Sequence, residues 1–244
     1  MELIAHRGRV GNDPENAVES LASAADRADG VEIDVRLSAD GVPVLMHDPT
    51  VDRTTSGTGE VADLSAAAVT DLELAPGIQV PRLETYLHAC EHSTVGVVLL
   101  DVKVEQEEAL AAIATTVASS PVFDRCVTLV RSSGAMERFR ALISTARLGA
   151  LGATEANVDA RIETARSTGA EILLVHHGDD AYLANRGVVR KVREAGLRAA
   201  ASTLSRPEVL DVAARDGCHL ALYDLPEPGV VSALQRPGSR ESGT

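Results

Sequence analysis

The chain has 244 residues, 45% of them hydrophobic, which is enough to bury a sizeable core. Aromatics make up only 2% and Trp is absent, so that core has to be built from Ala, Val, Leu and Ile. The formal net charge of −13 excludes the basic footprint of a nucleic-acid binder and attraction to an anionic membrane surface.

The apolar run at residues 3–6 predicts a first strand, after which His6-Arg7-Gly8 begins a loop. Pro14-Glu15-Asn16 opens a predicted helix running to about residue 28. Residues 31–37 read as the second strand. Within its VEIDV segment, Glu32 and Asp34 alternate with Val31, Ile33 and Val35, so the two carboxylates share one face. A tight turn at Ser38-Ala39-Asp40-Gly41 leads to a short paired extension over 42–47, ending at His47. Residues 48–81 form a longer excursion, rich in Thr, Gly and Asp, with one short helix near 65–72.

A helix is then predicted from Pro81-Arg82-Leu83-Glu84 to about residue 92, and a buried strand over 95–103. Further strands are expected at 126–130, 147–151, 172–176, 197–201 and 219–223. The helices between them fall at 106–119, 134–144, 155–167, 182–195 and 206–216. A short helix is expected at 229–234, and the polar tail 236–244 reads as mobile.

Eight strands each followed by a helix, in roughly this length, match a (β/α)8 TIM barrel in the α/β class. The expected domain is 1–235, with an insertion at about 48–81 after the second strand. The strands are near-continuous apolar runs, as a parallel sheet covered by helices requires. An open doubly wound sheet is the alternative, but no G-x-G-x-x-G follows the first strand.

A barrel displays its chemistry at the C-terminal ends of its strands. Those ends carry His6, Arg7, Glu32, Asp34, His47, Asp101 and Lys103. Buried acids side by side are costly unless a cation or proton compensates them. Glu32, Asp34 and Asp101 converging at one mouth suit one hard divalent cation, Mg²⁺ or Ca²⁺, rather than Zn²⁺. Arg7 and Lys103 beside that cation suit an anionic phosphoryl group. Two histidines can supply a general acid and a general base. His176 and His177, also at a strand end, read first as structural, with a place lining the mouth as the alternative, while His88, His92 and His219 read as structural or exposed. The glycines of TTSGTGE lack the Gly-Lys-Ser/Thr ending of a phosphate-binding loop and read as a turn.

The ordered set of segments resembles the glycerophosphodiester phosphodiesterase family. It comprises His6-Arg7-Gly8, Pro14-Glu15-Asn16, Glu32-x-Asp34-Val35, Asp40-Gly41 with Pro43-Val44, His47-Asp48, Arg53-Thr54-Thr55 with Gly59, Pro81-Arg82-Leu83-Glu84 and Asp101-x-Lys103. The resemblance implies a barrel with a small insertion after the second strand. It implies His6 and His47 as the acid/base pair, Glu32, Asp34 and Asp101 as metal ligands, and Arg7 and Lys103 as phosphate contacts. The implied reaction is hydrolysis of glycerophosphodiesters to sn-glycerol 3-phosphate and an alcohol. Asp101 stands where the family usually has Glu; the related venom-type phospholipases D also carry Asp-x-Lys there, which leaves a lyase forming a cyclic phosphate as an alternative. Ala201-Ser202-Thr203-Leu204 replaces the family's W-T-V-N, and Asp224-Leu225-Pro226 is similar to its closing T-D-x-P. A non-catalytic barrel binding a phosphorylated ligand, and an aldolase or isomerase using Lys103 as a Schiff-base lysine, are the readings from other classes.

Cys90, Cys126 and Cys218 form no C-x-x-C pair and read as buried thiols in a reducing compartment. With no signal peptide and no stretch of eighteen apolar residues, a cytoplasmic protein without a membrane span is expected, acting on a small phosphodiester. The oligomeric state is not legible in the sequence.

Overall fold

The computed structural model describes residues 1–175 and 177–226. Strands β1 (Glu2–Val10) and β2 (Gly30–Leu37) are followed by β6 (Val97–Val102), β7 (Cys126–Val130), β8 (Arg147–Ala153), β9 (Ile172–Val175), β10 (Arg198–Leu204) and β11 (Leu220–Leu225). These strands pair in parallel in the order β1-β11-β10-β9-β8-β7-β6-β2, and β1 also pairs with β2, which closes the sheet into a barrel. The expected (β/α)8 architecture is present. A short strand, β3 (Pro43–Leu45), pairs antiparallel with β2, as the Asp40-Gly41 turn predicts.

Alternation along each strand sorts side chains between two cores. Val31, Ile33, Val35, Val98 and Leu100 point outward and pack under the helices. Ile4, Val97, Leu99, Val127 and Leu129 belong to a second cluster inside the barrel, filled by aliphatic side chains. Gly30 faces this interior: a Cβ there would lie 2.4 Å from Val97 Cγ1, so the close approach of β2 to β6 needs a bare backbone. Two residues further along each strand the same inward face turns polar. His6 follows Ile4, Glu32 and Asp34 follow Gly30, and Asp101 follows Leu99. The barrel is therefore apolar at its base and charged at the C-terminal mouth.

The helices are α1 (Leu21–Arg27), α2 (Ala66–Thr70), α3 (Leu83–Glu91), α4 (Glu107–Ala118), α5 (Ser133–Leu142), α6 (Val158–Thr168), α7 (Asp179–Ala184), α8 (Gly187–Glu194) and α9 (Pro207–Asp216). Two differ from expectation. Pro14-Glu15-Asn16 does not open a helix, because Asn16 has φ +59° and its amide is bonded to Asp34; α1 starts only at Leu21. The helix expected at 182–195 is split, with Asn185 and Arg186 between α7 and α8. Arg186 is turned onto Asp216 at the end of α9, 2.7 Å from Nε to Oδ2.

Residues 48–81 hold more than one helix. They form a 3₁₀ turn (Val61–Asp63), α2, and a hairpin of β4 (Glu73–Ala75) and β5 (Ile78–Gln79). The excursion has its own small core: Val51, Val61, Val69 and Val80 close over Val44 and Met46. Two- and three-residue strands are too short for a period-2 pattern, which is why the hairpin is invisible in the sequence. The three cysteines are buried and free, and no helix among the described residues is long and apolar enough to cross a membrane. The predicted helix at 229–234, the tail 236–244 and His176 lie outside the described residues.

Candidate active site

All seven residues singled out at the strand ends line one cavity of about 160 Å³ at the mouth of the barrel. Its floor is made by Leu129, Leu151, Leu174 and Leu222 from the inner core. The volume is below the ~300–1,000 Å³ typical of drug-sized ligands and suits a small polar group.

The β2–β6 register sets Asp34 beside Asp101 and Glu32 beside Leu99. Glu32, Asp34 and Asp101 offer ligand oxygens within 4.8 Å of one another, and all three are buried. Burial pushes the Glu32 carboxyl well above the usual range, and the neighbouring Asp34 and Asp101 charges push it further. On Asp34 burial also opposes the charge, but Lys103 and the Asn16 amide outweigh it and hold that carboxyl below its ordinary value. Lys103 Nζ lies 2.8 Å from Asp34 Oδ1 and bonds Asp101 Oδ2 as well. Burial works against its charge, yet the two carboxylates raise its pKa, so the lysine stays protonated.

A buried carboxylate cluster with one acid forced towards neutrality is the donor set a hard divalent cation would stabilise. Asp101 Oδ1 is also buried without a hydrogen bond, with the Arg131 guanidinium beside it at 3.0 Å. The cluster fits a divalent cation.

Strand β1 is bent to serve this cluster. Its pairing with β11 shifts between Ala5 and Val10, and Arg7 and Gly8 take left-handed φ values of +55° and +62°. A non-glycine residue in that region stores strain and is held only by surrounding bonds. Here the Arg7 N–H donates to Glu32 Oε2 at 3.0 Å, and the Asn16 N–H donates to the Arg7 carbonyl at 2.8 Å. The Asn16 side chain clamps Asp34 twice, accepting from its backbone N–H and donating to Oδ2, both at 2.9 Å. It takes the place of the ladder bond that β1 gives up at its bend. The reward is the position of Arg7: its Nε is buried, 3.8 Å from Asp34 Oδ2, with no hydrogen-bond partner.

The two histidines are held alike. His6 Nδ1 lies 2.8 Å from Asp224 Oδ1 on β11, and His47 Nδ1 lies 2.6 Å from Asp48 Oδ1. Burial opposes the charge of Asp224, but its bond to His6 keeps the carboxyl below the usual range. Asp48 is held down to about 2, chiefly by its bond from Arg53. Arg36 grips the His47 carbonyl with Nε at 3.0 Å and Nη2 at 2.8 Å. In both histidines Nε2 is the nitrogen without a hydrogen bond among the described residues, that of His6 lying 4.0 Å from Glu32 Oε2, and both rings line the cavity.

Sequence reasoning missed several residues here. Asp224 was legible only as part of a motif, since it arrives from 218 residues away. Arg131 follows Leu129 on the inward face just past β7, and its Nη2 lies 3.0 Å from Asp101 Oδ1. His177, exposed just past β9, also lines the cavity. The sequence favours a structural role for it and leaves a place at the mouth as the alternative, and the cavity lining agrees with that alternative. The inward period-2 phase, extended past the strand end, would have found Arg131.

Residues 6–227 match the Glycerophosphoryl diester phosphodiesterase family. The protein belongs to that family. Glycerophosphodiester phosphodiesterase 1 of Mus musculus is 38% identical over 123 residues, 46% of this chain. The aligned part is 37% of the mouse protein's own length. A glycerophosphodiester phosphodiesterase of Caldanaerobacter subterraneus is 46% identical over 72 residues, 29% of this chain and 30% of that protein. Among solved structures, an Oleispira antarctica phosphodiesterase in complex with the product sn-glycerol-3-phosphate has TM-score 0.82 at 24% identity, covering 93% of this chain and 94% of that one. A Silicibacter pomeroyi structure follows with TM-score 0.80 at 22% identity, covering 93% and 90%. At those identities the structures attest the fold.

Proposed function

We propose that this phosphodiesterase-family protein hydrolyses glycerophosphodiesters to sn-glycerol 3-phosphate and an alcohol, with Glu32, Asp34 and Asp101 holding one divalent cation, Mg²⁺ or Ca²⁺. The observation that carries this reading is the buried acid cluster, with ligand oxygens within 4.8 Å, set between two carboxylate-anchored histidines in one cavity. When bound, the cation supplies Lewis-acid polarisation of a phosphoryl oxygen.

The chain's own residues do the rest. Arg7 Nε, a buried donor without a partner, donates to a second phosphoryl oxygen. Lys103, held protonated between Asp34 and Asp101, adds positive charge beside the charge that builds up on phosphorus oxygens. His6 and His47 each direct Nδ1 to a carboxylate, leaving Nε2 to move a proton. One takes it from the attacking water and the other delivers it to the departing alkoxide.

The same Lys103 environment disfavours the aldolase reading, since a Schiff-base lysine must be neutral to attack a carbonyl. Phosphorus NMR of the purified protein with glycerophosphocholine and Mg²⁺ or Ca²⁺ tests the proposal. A phosphomonoester signal is expected. A cyclic phosphate signal would make the protein a lyase, and an unchanged spectrum would leave a phosphate-binding barrel.

A further inference from the structure

Glu15 touches neither the acid cluster nor a histidine, yet it takes four hydrogen bonds from two guanidinium groups. Arg7 Nη1 donates to Oε1 at 3.1 Å and to Oε2 at 2.9 Å. Arg53 Nη2 donates to Oε1 at 2.7 Å, and its Nη1 to Oε2 at 3.2 Å. Arg53 also donates from Nε to Asp48 Oδ2, and Asp48 Oδ1 is the atom that holds His47 Nδ1. Arg7, Glu15, Arg53 and Asp48 alternate in charge across the mouth, and the chain of bonds ends on the His47 ring. Burial opposes the Glu15 charge, but Arg53 and Arg7 hold its carboxyl below the usual range.

We infer that Glu15 is a positioning residue for both halves of the site, aiming the Arg7 guanidinium directly and the His47 ring through Arg53 and Asp48. The inference rests on the reading of Arg7 and His47 given above.

The geometry supplies the reason. Arg7 sits on strained backbone, so its long side chain has to be fixed from its far end if Nε is to stay aimed at the cavity. Glu15 does this with both oxygens, leaving Nε unbonded. His47 lies on a different segment, beyond β3 and at the start of the 48–81 excursion. Arg53 is the only residue described that bonds both Asp48 and Glu15, so it is the strut between that excursion and the loop after β1. Without Glu15, two guanidinium groups face each other with no acid between them. Their repulsion displaces both ends of the chain together, and a shift of about 1 Å in a positioned group can cost ~10²-fold in rate.

Three variants and two readouts test this: Glu15→Gln, Arg53→Gln and the double variant. The first readout is steady-state kinetics on glycerophosphocholine with Mg²⁺. Glu15→Gln should raise KM and lower kcat, because it releases Arg7 and His47 together, with kcat/KM falling by about 10²-fold. Arg53→Gln should lower kcat with KM nearly unchanged, since Arg7 keeps both bonds to Glu15. The double variant should be no worse than Glu15→Gln alone, because the two residues act as one unit. Simple loss of folded protein lowers kcat and leaves KM where it was, so a raised KM in Glu15→Gln separates positioning from scaffolding.

The second readout is the ¹⁵N–¹H spectrum of the histidine rings, which reports the His47 tautomer whether or not turnover occurs. A single tautomer with the proton on Nδ1 is expected in the parent, and mixed tautomers in Arg53→Gln and Glu15→Gln. If the parent is inactive on every glycerophosphodiester while the tautomer signature changes as expected, the proposed function falls and the positioning role of Glu15 stands. Multiplicative kinetic effects in the double variant, or an unchanged His47 signature together with an unchanged KM in Glu15→Gln, overturn the inference.

Discussion

His6 Nδ1 and Asp224 Oδ1 lie 2.8 Å apart, joining the first strand of the barrel to the last across 218 residues of sequence. The bond forms because β1 and β11 are neighbours, with Ala5 level with Tyr223, which sets each residue's successor at the same height above the floor. A carboxylate on Nδ1 fixes the ring so that Nε2 is the nitrogen available for proton transfer. Asp224→Asn keeps the size of the side chain but loses the charge that supports an imidazolium. It should lower kcat on glycerophosphocholine by about 10²-fold while leaving cation binding, read by calorimetry, at the parental level. Equal kcat in the two proteins would show that Asp224 does not act on His6.

The second prediction concerns the acid cluster without a cation. Glu32 is driven up first by burial and then by Asp34 and Asp101. Glu32→Gln removes that repulsion, so in EDTA its melting temperature should equal or exceed that of the parent. Added Mg²⁺ or Ca²⁺ should raise the melting temperature of the parent and leave the variant unmoved, because ligand binding stabilises only a fold that still has the ligands. Loss of activity on chelation and its return with the cation is the accompanying expectation. A parental response of Glu32→Gln to the cation would remove Glu32 from the ligand set.

Asp48 gives a pH dependence with a definite sign. Its carboxyl is held at about 2, against an ordinary 3.8, chiefly by Arg53 and against the opposing effect of burial, with His47 adding to the depression. A depressed carboxyl stabilises the fold fully above the unfolded-state value and loses that contribution as pH falls from about 4 towards 2. Urea unfolding of the parent and of Asp48→Asn should therefore differ most at neutral pH. The two curves should converge through that acidic window, and a gap that persists unchanged at pH 2 would contradict the assignment.

Gly8 and Tyr86 make a coupled pair. Gly8 has φ +62°, and a Cβ there would lie 2.6 Å from Tyr86 Oη. That hydroxyl is buried with no hydrogen-bond partner. Tyr86→Phe should therefore be neutral or stabilising by about 1 kcal/mol, since it deletes an unsatisfied polar atom. Gly8→Ala should cost about 1–2 kcal/mol from the left-handed backbone alone, plus the clash. In a Tyr86→Phe background only the backbone part should remain, so chemical denaturation of the four proteins should show the two changes to be non-additive.

The residues that carried the sequence reading were those whose spacing has one structural meaning. Glu32 and Asp34 at i, i+2 on an apolar strand had to share a face, and Asp101 with Lys103 repeats the spacing, so the acid cluster and its lysine were legible. The same logic failed at Pro14-Glu15-Asn16. A proline followed by two residues common in first turns resembles a helix start. What forbids the helix is a long-range clamp between Asn16 and Asp34 that no local pattern contains. Asp224 and Arg53 are hidden from local patterns for the same reason, since each is joined to its partner by closure of the barrel or by folding of the 48–81 excursion.

Asp101 is shared between two cations, and this gives the last prediction. Lys103 Nζ bonds its Oδ2, while Arg131 Nη2 lies 3.0 Å from Oδ1 and 3.1 Å from Oδ2. Both compete with a divalent cation for the same oxygens. Lys103 is buried against Asp34 as well, so removing it would leave two buried acids facing each other. Arg131 is 45% exposed, and its bond to Asp101 is worth little to the fold. Arg131→Gln should therefore fold normally and bind Mg²⁺ or Ca²⁺ more tightly, by about 2–5-fold, the factor equivalent to an exposed ion pair of roughly 0.5–1 kcal/mol. Asp101→Asn should lose most of the affinity, and Asp101→Glu should keep part of it, because a longer carboxylate still reaches the cluster. Isothermal titration with each cation reads all three variants without needing turnover. Weaker binding in Arg131→Gln would mean that Arg131 orients Asp101 for the cation instead of competing with it, and the sign of that one change decides between the two.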